Sequence, residues 1–407
     1  MVGGKLTEDA NVIANKFNEY FAQIGPNLAK NIPLNGPSFR QYLKQSYSET
    51  FYAFPIQSDE IKKIITSLND GAPGIDCIPA SVLKHSVDFI SLPLTHICQL
   101  SLDQGHFPSE LKIAKIIPLF KSNDPSMFNN YRPISLLSVF SKILEKVMFD
   151  RVYDYLITLR ILYEFQFGFQ KNKSTYMALI SLTDKLTEAL EKGDVGVGIF
   201  IDFRKAFDTV NHKILLDKLY HYGIRGVPLN WFQSYLIGRK QCVKFNNVTS
   251  NVLDMKCGVP QGSNLGPLLF LLYINDLAFV SPELFAILFA DDSIFFCTGS
   301  DLSSVINIVN HELCKVVDWL NSNKMSLNID KTHFMIFKPK RKKYDASDDI
   351  VINGCKLNEV ESTKFLGVLI DNKLSWKPHI NLICSKISKN IGIMAKARSV
   401  FTEKTLV

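Results

Sequence analysis

Apolar residues recur along this chain in two patterns, a helical spacing and short unbroken runs. Ile61, Ile64 and Ile65 follow Ser58 at helical spacing, which predicts an amphipathic helix. The run from Val195 to Asp202 is apolar up to its last residue, which predicts a buried strand. Helices mixed with such strands predict an α+β fold in which helices cover one face of a sheet.

The same two patterns extend the prediction along the chain. Further helices are predicted at 80–89, 94–102, 138–156, 268–274 and 305–320, and after Ser174 and Ser375. Strands are predicted at 114–121, 284–289, 294–296, 333–337 and 364–371. The first 50 or so residues alternate helical patches, such as 11–24, with polar stretches that contain Pro and Gly.

Two adjacent acids, Asp291 and Asp292, interrupt the apolar pattern between two of these strands. The spacing places them at the tip of a tight hairpin, where both carboxylates can reach one point. Acids are common in exposed turns, so an ordinary turn is one interpretation. The other is a cation site, because two like charges held together repel unless something positive lies between them.

A third acid, Asp202, ends the buried strand that begins at Val195. A carboxylate in that position is unusual. If this strand and the hairpin are neighbours in one sheet, the three acids form an oxygen-rich cluster suited to Mg²⁺. Two such ions, about 3.5–4 Å apart, can hold the attacking and leaving oxygens of a phosphoryl transfer.

The charge balance fits a nucleic-acid partner without proving one. The 407 residues carry 46 Lys and Arg against 39 acids, a formal net charge of +7. The stretch 167–175 interleaves aromatic rings with cations, which suits either a base-stacking contact or an ordinary surface loop. Five cations in the six residues 338–343 indicate a solvated loop, a nucleic-acid contact or a nuclear address.

Cysteine spacing and hydropathy exclude other classes. The eight cysteines form no CxxC pair and accompany no His cluster, so neither a zinc site nor a disulfide framework is predicted. The N-terminus lacks an apolar signal segment, and the most apolar run, 267–280, is too short to span a bilayer. We therefore predict no membrane segment and an intracellular location, in the nucleus or the cytoplasm.

Several motifs together resemble reverse transcriptases. Residues 201–208 (IDFRKAFD), 258–263 (GVPQGS) and 289–292 (FADD) follow one another in the order of that family's motifs. Residues 131–137 (YRPISLL) and 365–367 (FLG) point more narrowly to the polymerases of non-LTR, LINE-like retrotransposons. The resemblance covers roughly residues 60 to 400.

The resemblance implies a right-hand polymerase fold with an antiparallel palm sheet. It divides the chain into a helical N-terminal extension (1–100), fingers and palm (101–370) and the start of a truncated thumb (371–407). The last amphipathic helix, with Ile380, Ile387 and Ile391 on one stripe, would lie along the duplex in that thumb. The endonuclease domain and zinc knuckle of larger relatives are not visible here.

The resemblance also assigns roles to residues. Asp202, Asp291 and Asp292 would be the catalytic, metal-binding acids, with the carbonyl of Phe203 completing one coordination sphere. The residues implied at the nucleotide are Arg132 and Lys121 on the triphosphate, Phe207 as a steric gate against the 2′-hydroxyl, Gln261 near the sugar, and Lys331 near the pyrophosphate. For Lys331 a plain turn cation is an equal alternative.

By this resemblance the function is RNA-templated DNA synthesis by two-metal phosphoryl transfer. The implied cofactors are two Mg²⁺ ions, with Mn²⁺ as a substitute, and the implied partners are an RNA template, a DNA primer and deoxynucleoside triphosphates. One alternative is an inactive, nucleic-acid-binding relic of such a polymerase. A group II intron maturase is a second alternative with the same fold, and no C-terminal maturase region is visible to favour it. The sequence does not indicate an oligomeric state.

Overall fold

The computed structural model describes residues 7–33, 36–43, 47–339 and 349–398. Its helices are α1 (Ala10–Lys30), α2 (Ser58–Ser67), α3 (Ala80–His85), α4 (Val87–Gln104), α5 (Val139–Thr158), α6 (Thr175–Glu191), α7 (His212–His221), α8 (Val227–Leu236), α9 (Leu265–Ile274), α10 (Leu302–Ser322) and α11 (Lys377–Ala397). Most of the predicted cation run, 340–343, lies outside the described residues.

The strands mix with these helices throughout the chain, so the predicted α+β class is confirmed. They are β1 (Ile113–Phe120), β2 (Tyr131–Leu136), β3 (Val195–Asp202), β4 (Lys240–Phe245), β5 (Val248–Thr249), β6 (Leu253–Asp254), β7 (Phe285–Phe289), β8 (Asp292–Gly299), β9 (His333–Phe337), β10 (Val351–Ile352), β11 (Cys355–Lys356), β12 (Asn358–Glu359), β13 (Ser362–Phe365) and β14 (Val368–Asp371). Among the described residues, no helix is both long and apolar enough to cross a membrane.

Predicted element bounds differ from the structure in instructive places. The helices predicted at 80–89 and 94–102 are instead the short α3 and the long α4, which continues through Pro93. Proline removes the hydrogen bond to the carbonyl four residues earlier, that of Phe89, and because Phe89 is exposed, water can replace it. The strand predicted at 294–296 is the longer β8, because β8 pairs with β3 along its whole length.

The chain divides into two compact units, each discontinuous in sequence. The first unit takes residues up to 171 together with 203–280 and 315–327, and the second unit takes the rest. The division into residues 1–100, 101–370 and 371–407 rests on the resemblance and stays a prediction.

In the first unit, a mixed sheet packs against α1. Its strand order is β2-β1-β4-β5 with β6 also on β4, and β1 runs parallel to β4 and antiparallel to β2. Phe17, Phe21 and Ile24 of α1 join Ile116 and Val243 of the sheet in one buried cluster. Burial of these side chains, at roughly 1.5–3 kcal/mol each, holds the N-terminal helix on the sheet.

The first unit also contains a buried ion pair. Lys218 on α7 lies 2.5 Å from an oxygen of Asp276, which follows α9, and both side chains are almost completely buried. The indole nitrogen of Trp319 donates to the second oxygen at 2.9 Å. Burial lowers the pKa of Lys218, and the charge of Asp276 opposes that shift. This carboxylate therefore receives its counter-charge from a side chain of the same unit.

In the second unit, a five-stranded sheet has the order β12-β9-β3-β8-β7. Neighbours from β9 to β7 are antiparallel, and β12 adds a parallel edge. Strand β3 is buried from Val195 to Ile201, as its apolar run predicted. Glycine at position 196 leaves room for α6, because a Cβ there would lie 3.2 Å from a methyl group of Leu186.

The last helix, α11, has the predicted apolar stripe, and this stripe is exposed to solvent. None of its described residues is buried, and Ile380, Ile387 and Ile391 are each more than half exposed. The stripe therefore contributes little to the stability of the second unit.

Candidate active site

The second unit brings two of the predicted acids face to face. Strands β3 and β8 pair so that Asp202 lies directly opposite Asp292, which in turn pairs with Phe289 of β7. Side chains of directly opposed residues point to the same face of a sheet, with their Cα atoms about 4.5–5.5 Å apart. Like charges in this arrangement destabilise a sheet, so the pair favours a bound cation.

The third acid lies in the turn that joins β7 to β8. The loop consists of Ala290 and Asp291 alone, so Asp292 is the first residue of β8 and only Asp291 lies at the tip predicted for both. Ala290 has a φ of 54°, a left-handed value that costs a non-glycine residue about 1 kcal/mol, and it is 2% exposed. The tight turn places Asp291 immediately beside the opposed pair, and Asp291 and Asp292 are both exposed.

Asp202 has two further partners in the second unit. The side-chain amide of Asn328 donates to Asp202 Oδ2 at 2.7 Å, and the ammonium of Lys331 lies 3.9 Å from the same oxygen. The backbone N–H of Asn328 also donates to the carbonyl of Asp202 at 2.8 Å. The side chain of Asp202 stays 40% exposed, so the carboxylate is oriented by these contacts and still open to solvent.

Carboxylate oxygens are the donors that Mg²⁺ prefers, and the three acids supply them at one end of the sheet. Across the described residues, however, no three His, Cys, Asp or Glu side chains are already grouped closely enough to hold a metal ion. The donor chemistry and the backbone register therefore fit a divalent cation, while its binding requires the carboxylates to draw together. The side chains that would hold it are Asp202, Asp291 and Asp292.

In the first unit, Lys121 and Arg132 share one face of the β1–β2 hairpin. Arg132 lies opposite Leu119, and the N–H of Lys121 donates to the carbonyl of Asn130, which extends the pairing by one residue on each strand. Because alternate strand residues point to the same side, Lys121, Leu119 and Arg132 face one way. Both cations are exposed, which is compatible with their predicted contact with a triphosphate.

Phe207 and Gln261, also in the first unit, belong to two segments that are bonded together. The N–H of Val259 donates to the carbonyl of Phe207 at 2.9 Å, and the carbonyl of Gln261 accepts from Ser135 of β2 at 2.8 Å. The ring of Phe207 stacks on Phe270 of α9, with centroids 4.5 Å apart. The GVPQGS turn is thereby fixed between β2 and the segment after β3.

Glycine at position 262 is required by this packing. Its φ is 124°, and a Cβ there would lie 2.5 Å from the carbonyl oxygen of Ser135.

Phe203, the predicted carbonyl ligand, directly follows Asp202 in the chain and bridges to Leu327 in the first unit. Its side chain is buried, so only its backbone is suited to the predicted role.

The structure shows two polar residues that the sequence did not single out. Asn328 orients Asp202, and Asp208 accepts a hydrogen bond at 2.8 Å from the side-chain amide of Gln261. Burial raises the pKa of Asp208 from its ordinary 3.8 to about 6, although the bond from Gln261 and the charge of Lys205 oppose the shift. Asp208 falls within the IDFRKAFD motif, and that position was the signal available in the sequence.

Comparison with known proteins agrees with the motifs. The family described as "Reverse transcriptase (RNA-dependent DNA polymerase)" matches residues 121–370, which is more than half of the chain. The chain therefore belongs to the reverse transcriptase family. The region matched includes each of the predicted site residues.

Several of the similar proteins are named as RNA-directed DNA polymerases of Drosophila transposons or mobile elements. A Drosophila melanogaster protein named "Probable RNA-directed DNA polymerase from transposon BS" is 31% identical over 80% of this chain and 37% of its own length. The RNA-directed DNA polymerase from the mobile element jockey of Drosophila melanogaster is 26% identical over 87% of this chain and 39% of its own. A Pol polyprotein from the type-1 retrotransposable element R1 of Bradysia coprophila is 27% identical over 80% of this chain and 32% of its own length.

These matches confirm the resemblance to non-LTR retrotransposon polymerases. The chain spans less than two fifths of each of these relatives.

Proposed function

We propose that this chain is an RNA-directed DNA polymerase that extends the 3′-hydroxyl of a DNA primer along an RNA template. Family membership supports the class of reaction. The single observation that carries the proposal is the register of β3 on β8, which sets Asp202 opposite Asp292 with Asp291 in the adjoining turn. Like charges at opposed positions of a sheet repel, and a cation bound between these two carboxylates would relieve that repulsion.

Asp202, Asp291 and Asp292 would hold two Mg²⁺ ions, for which Mn²⁺ can substitute, with the carbonyl of Phe203 as a further ligand. Bound there, the ions would supply the positive charge that a primer hydroxyl and a triphosphate need during phosphoryl transfer. Asn328 keeps the Asp202 carboxylate in one orientation through its 2.7 Å hydrogen bond. Lys331, with its ammonium close to Asp202, would stabilise the negative charge of the departing pyrophosphate or protonate it.

The residues of the first unit would bind the deoxynucleotide. Arg132 and Lys121, exposed on one face of the hairpin, would contact the triphosphate with charge-assisted hydrogen bonds. Phe207, held by its stack on Phe270, would exclude a 2′-hydroxyl, and Gln261 would lie near the sugar.

In the right-hand description of such polymerases, we assign the β9-β3-β8-β7 sheet to the palm and the β1–β2 hairpin to the fingers. Helix α11 would begin the thumb, and the segments up to residue 100 would form the helical N-terminal extension. An exposed apolar stripe on α11 supports the thumb assignment, because such a stripe needs a partner to bury it.

Primer extension tests the proposal. The chain is incubated with an RNA template, a labelled DNA primer, Mg²⁺ and deoxynucleotides, beside its Asp291→Ala, Asp292→Ala form. We expect extension by the unmutated chain and a loss of at least about a thousandfold in the double variant, since charge stabilisation at the phosphate is lost. Template binding, measured by fluorescence anisotropy, should be retained by both.

Two results would contradict the proposal. Extension by the double variant at an unchanged rate would remove these acids from the chemistry. No extension by either protein, with template still bound, would favour the inactive, nucleic-acid-binding relic.

A further inference from the structure

Asp208 is a buried acid without an assigned role. It follows Phe207 directly, and its carboxylate oxygen Oδ2 is buried with no hydrogen-bond partner. The other oxygen, Oδ1, accepts from the side-chain amide of Gln261 at 2.8 Å. A buried carboxylate costs several kcal/mol unless its surroundings compensate, so its presence calls for a reason.

The surroundings of Asp208 are built closely around its backbone. A Cβ at Gly258 would lie 3.0 Å from the Cα of Asp208, and one at Gly25 of α1 would collide with its carbonyl oxygen. The carbonyl of Val210 accepts from the N–H of Gly258 at 2.8 Å. Two glycines and a backbone bond therefore bring the GVPQGS turn and α1 against this one residue.

The bond from Gln261 fixes which end of its carboxamide is used. An ionised carboxylate only accepts hydrogen bonds, so it must face the NH₂ group of Gln261 and not its oxygen. The oxygen Oε1 then points away from Asp208. A glutamine held in this way presents its carboxamide oxygen, a hydrogen-bond acceptor, to a ligand. An unrestrained glutamine can rotate and present either its oxygen or its NH₂ group to that ligand.

We propose that Asp208 is a positioning residue, which holds the carboxamide of Gln261 so that its oxygen is presented to the sugar of the incoming nucleotide. This inference rests on the proposed function, in which Gln261 lies near that sugar. Phe207 and Asp208 would then act as one device, since the first would exclude the 2′-hydroxyl and the second would orient the group that accepts from the sugar.

Asp208 also lines a small cavity of about 40 Å³ together with Arg239, whose guanidinium has one buried nitrogen without a partner. A cavity of this size can hold a water molecule, which needs polar partners of this kind. Asp208 and Arg239 therefore border one cavity, while Asp208 Oδ1 accepts from Gln261.

Single-nucleotide insertion on an RNA template tests the proposal, with KM for the deoxynucleotide and kcat measured separately. Asp208→Ala should raise KM about tenfold, the loss of roughly one charge-assisted hydrogen bond, and change kcat by less than about threefold. Asp208→Asn keeps an oxygen acceptor for the amide of Gln261 and should recover most of the affinity. Asp154→Ala, which removes an exposed acid on α5, is the matched control.

A double-mutant cycle adds a result that a merely structural role would not give. If Asp208 acts through Gln261, then Asp208→Ala combined with Gln261→Ala should be no worse than Gln261→Ala alone. The proposal would be overturned if the effects of Asp208→Ala and Gln261→Ala on KM multiplied in the double variant. It would also be overturned if Asp208→Asn raised KM as much as Asp208→Ala.

Hydrogen exchange of residues 258–263 separates this inference from the proposed function, because it needs no nucleotide. Exchange should be faster in Asp208→Ala than in the unmutated chain and near normal in Asp208→Asn. If the unmutated chain fails to extend primers, the proposed function fails by itself. Equal exchange in all three proteins would instead refute the positioning role.

Discussion

Asp276 and Asp202 are carboxylates with opposite surroundings. Asp276, in the first unit, is buried, lies 2.5 Å from Lys218 and accepts from Trp319. Asp202, in the second unit, is 40% exposed and faces another acid, Asp292, across two strands. The buried ammonium of Lys218 supplies the counter-charge of Asp276, whereas the ammonium of Lys331, which is 58% exposed, lies 3.9 Å from Asp202.

The difference teaches how the protein separates structural acids from functional ones. A buried charge must be compensated within the fold, because leaving it alone costs several kcal/mol. An exposed pair of like charges is tolerated by solvent and can take its positive charge from a ligand. Removal of Lys218 or Asp276 should therefore lower the free energy of unfolding. Removal of Asp202 or Asp292 should instead weaken metal binding and slow catalysis without lowering stability.

The largest expected effect is on stability, from Asp276→Ala. This change leaves the Lys218 ammonium buried without its partner and should lower the free energy of unfolding by about 3–5 kcal/mol. Urea unfolding followed by circular dichroism measures it. The matched control is Asp217→Ala, which breaks the more exposed pair with Arg40 and should cost no more than about 1 kcal/mol. Equal losses of unfolding free energy in the two variants would show that the buried ion pair is no more important to stability than an exposed one.

A smaller effect is expected at Asp202, the exposed acid of the comparison, when Asn328 is replaced by alanine. The change removes the donor that orients Asp202 and should lower the rate of primer extension about tenfold to hundredfold, as loss of a residue that orients a metal ligand typically does. The melting temperature should change little. Asn307→Ala, an exposed position on α10, is the control, and a variant at 328 that extends as fast as this control would refute the role of Asn328.

The smallest effect concerns Asp208, a buried acid without a full counter-charge. Because its pKa is raised to about 6 from 3.8, the unfolded chain ionises first, and the free energy of unfolding falls as pH rises from about 4 to 6. Asp208→Asn removes this loss. The variant should match the unmutated chain near pH 4 and exceed it above pH 7 by about 2 kcal/mol or less, measured by urea unfolding. A difference that does not change with pH would contradict this.

The sheet and the hairpin of the second unit were predictable because buried strands leave unbroken apolar runs. Val195–Ile201 and Phe285–Phe289 are such runs, and the acids at their ends stood out against them. The whole family assignment followed from short motifs that include these acids, and it is confirmed.

Long-range pairs were not predictable from the same sequence. Asp276 and Lys218 lie 58 positions apart, and Asn328 and Asp202 lie 126 apart, so nothing local to either residue indicates its partner. Helix α8 also gave no prediction, although Trp231 and Tyr235 on it are completely buried. In each case, tertiary packing decides the role of a residue whose local sequence is ordinary.

Binding of Mn²⁺, followed by electron paramagnetic resonance with primer–template and a non-reactive nucleotide present, tests the central claim most directly. The unmutated chain should bind two ions beyond those held by the nucleic acid and nucleotide alone. The Asp202→Asn, Asp292→Asn form should lose them while keeping its melting temperature. Equal Mn²⁺ binding by the two proteins would show that the opposed acids are not the metal site.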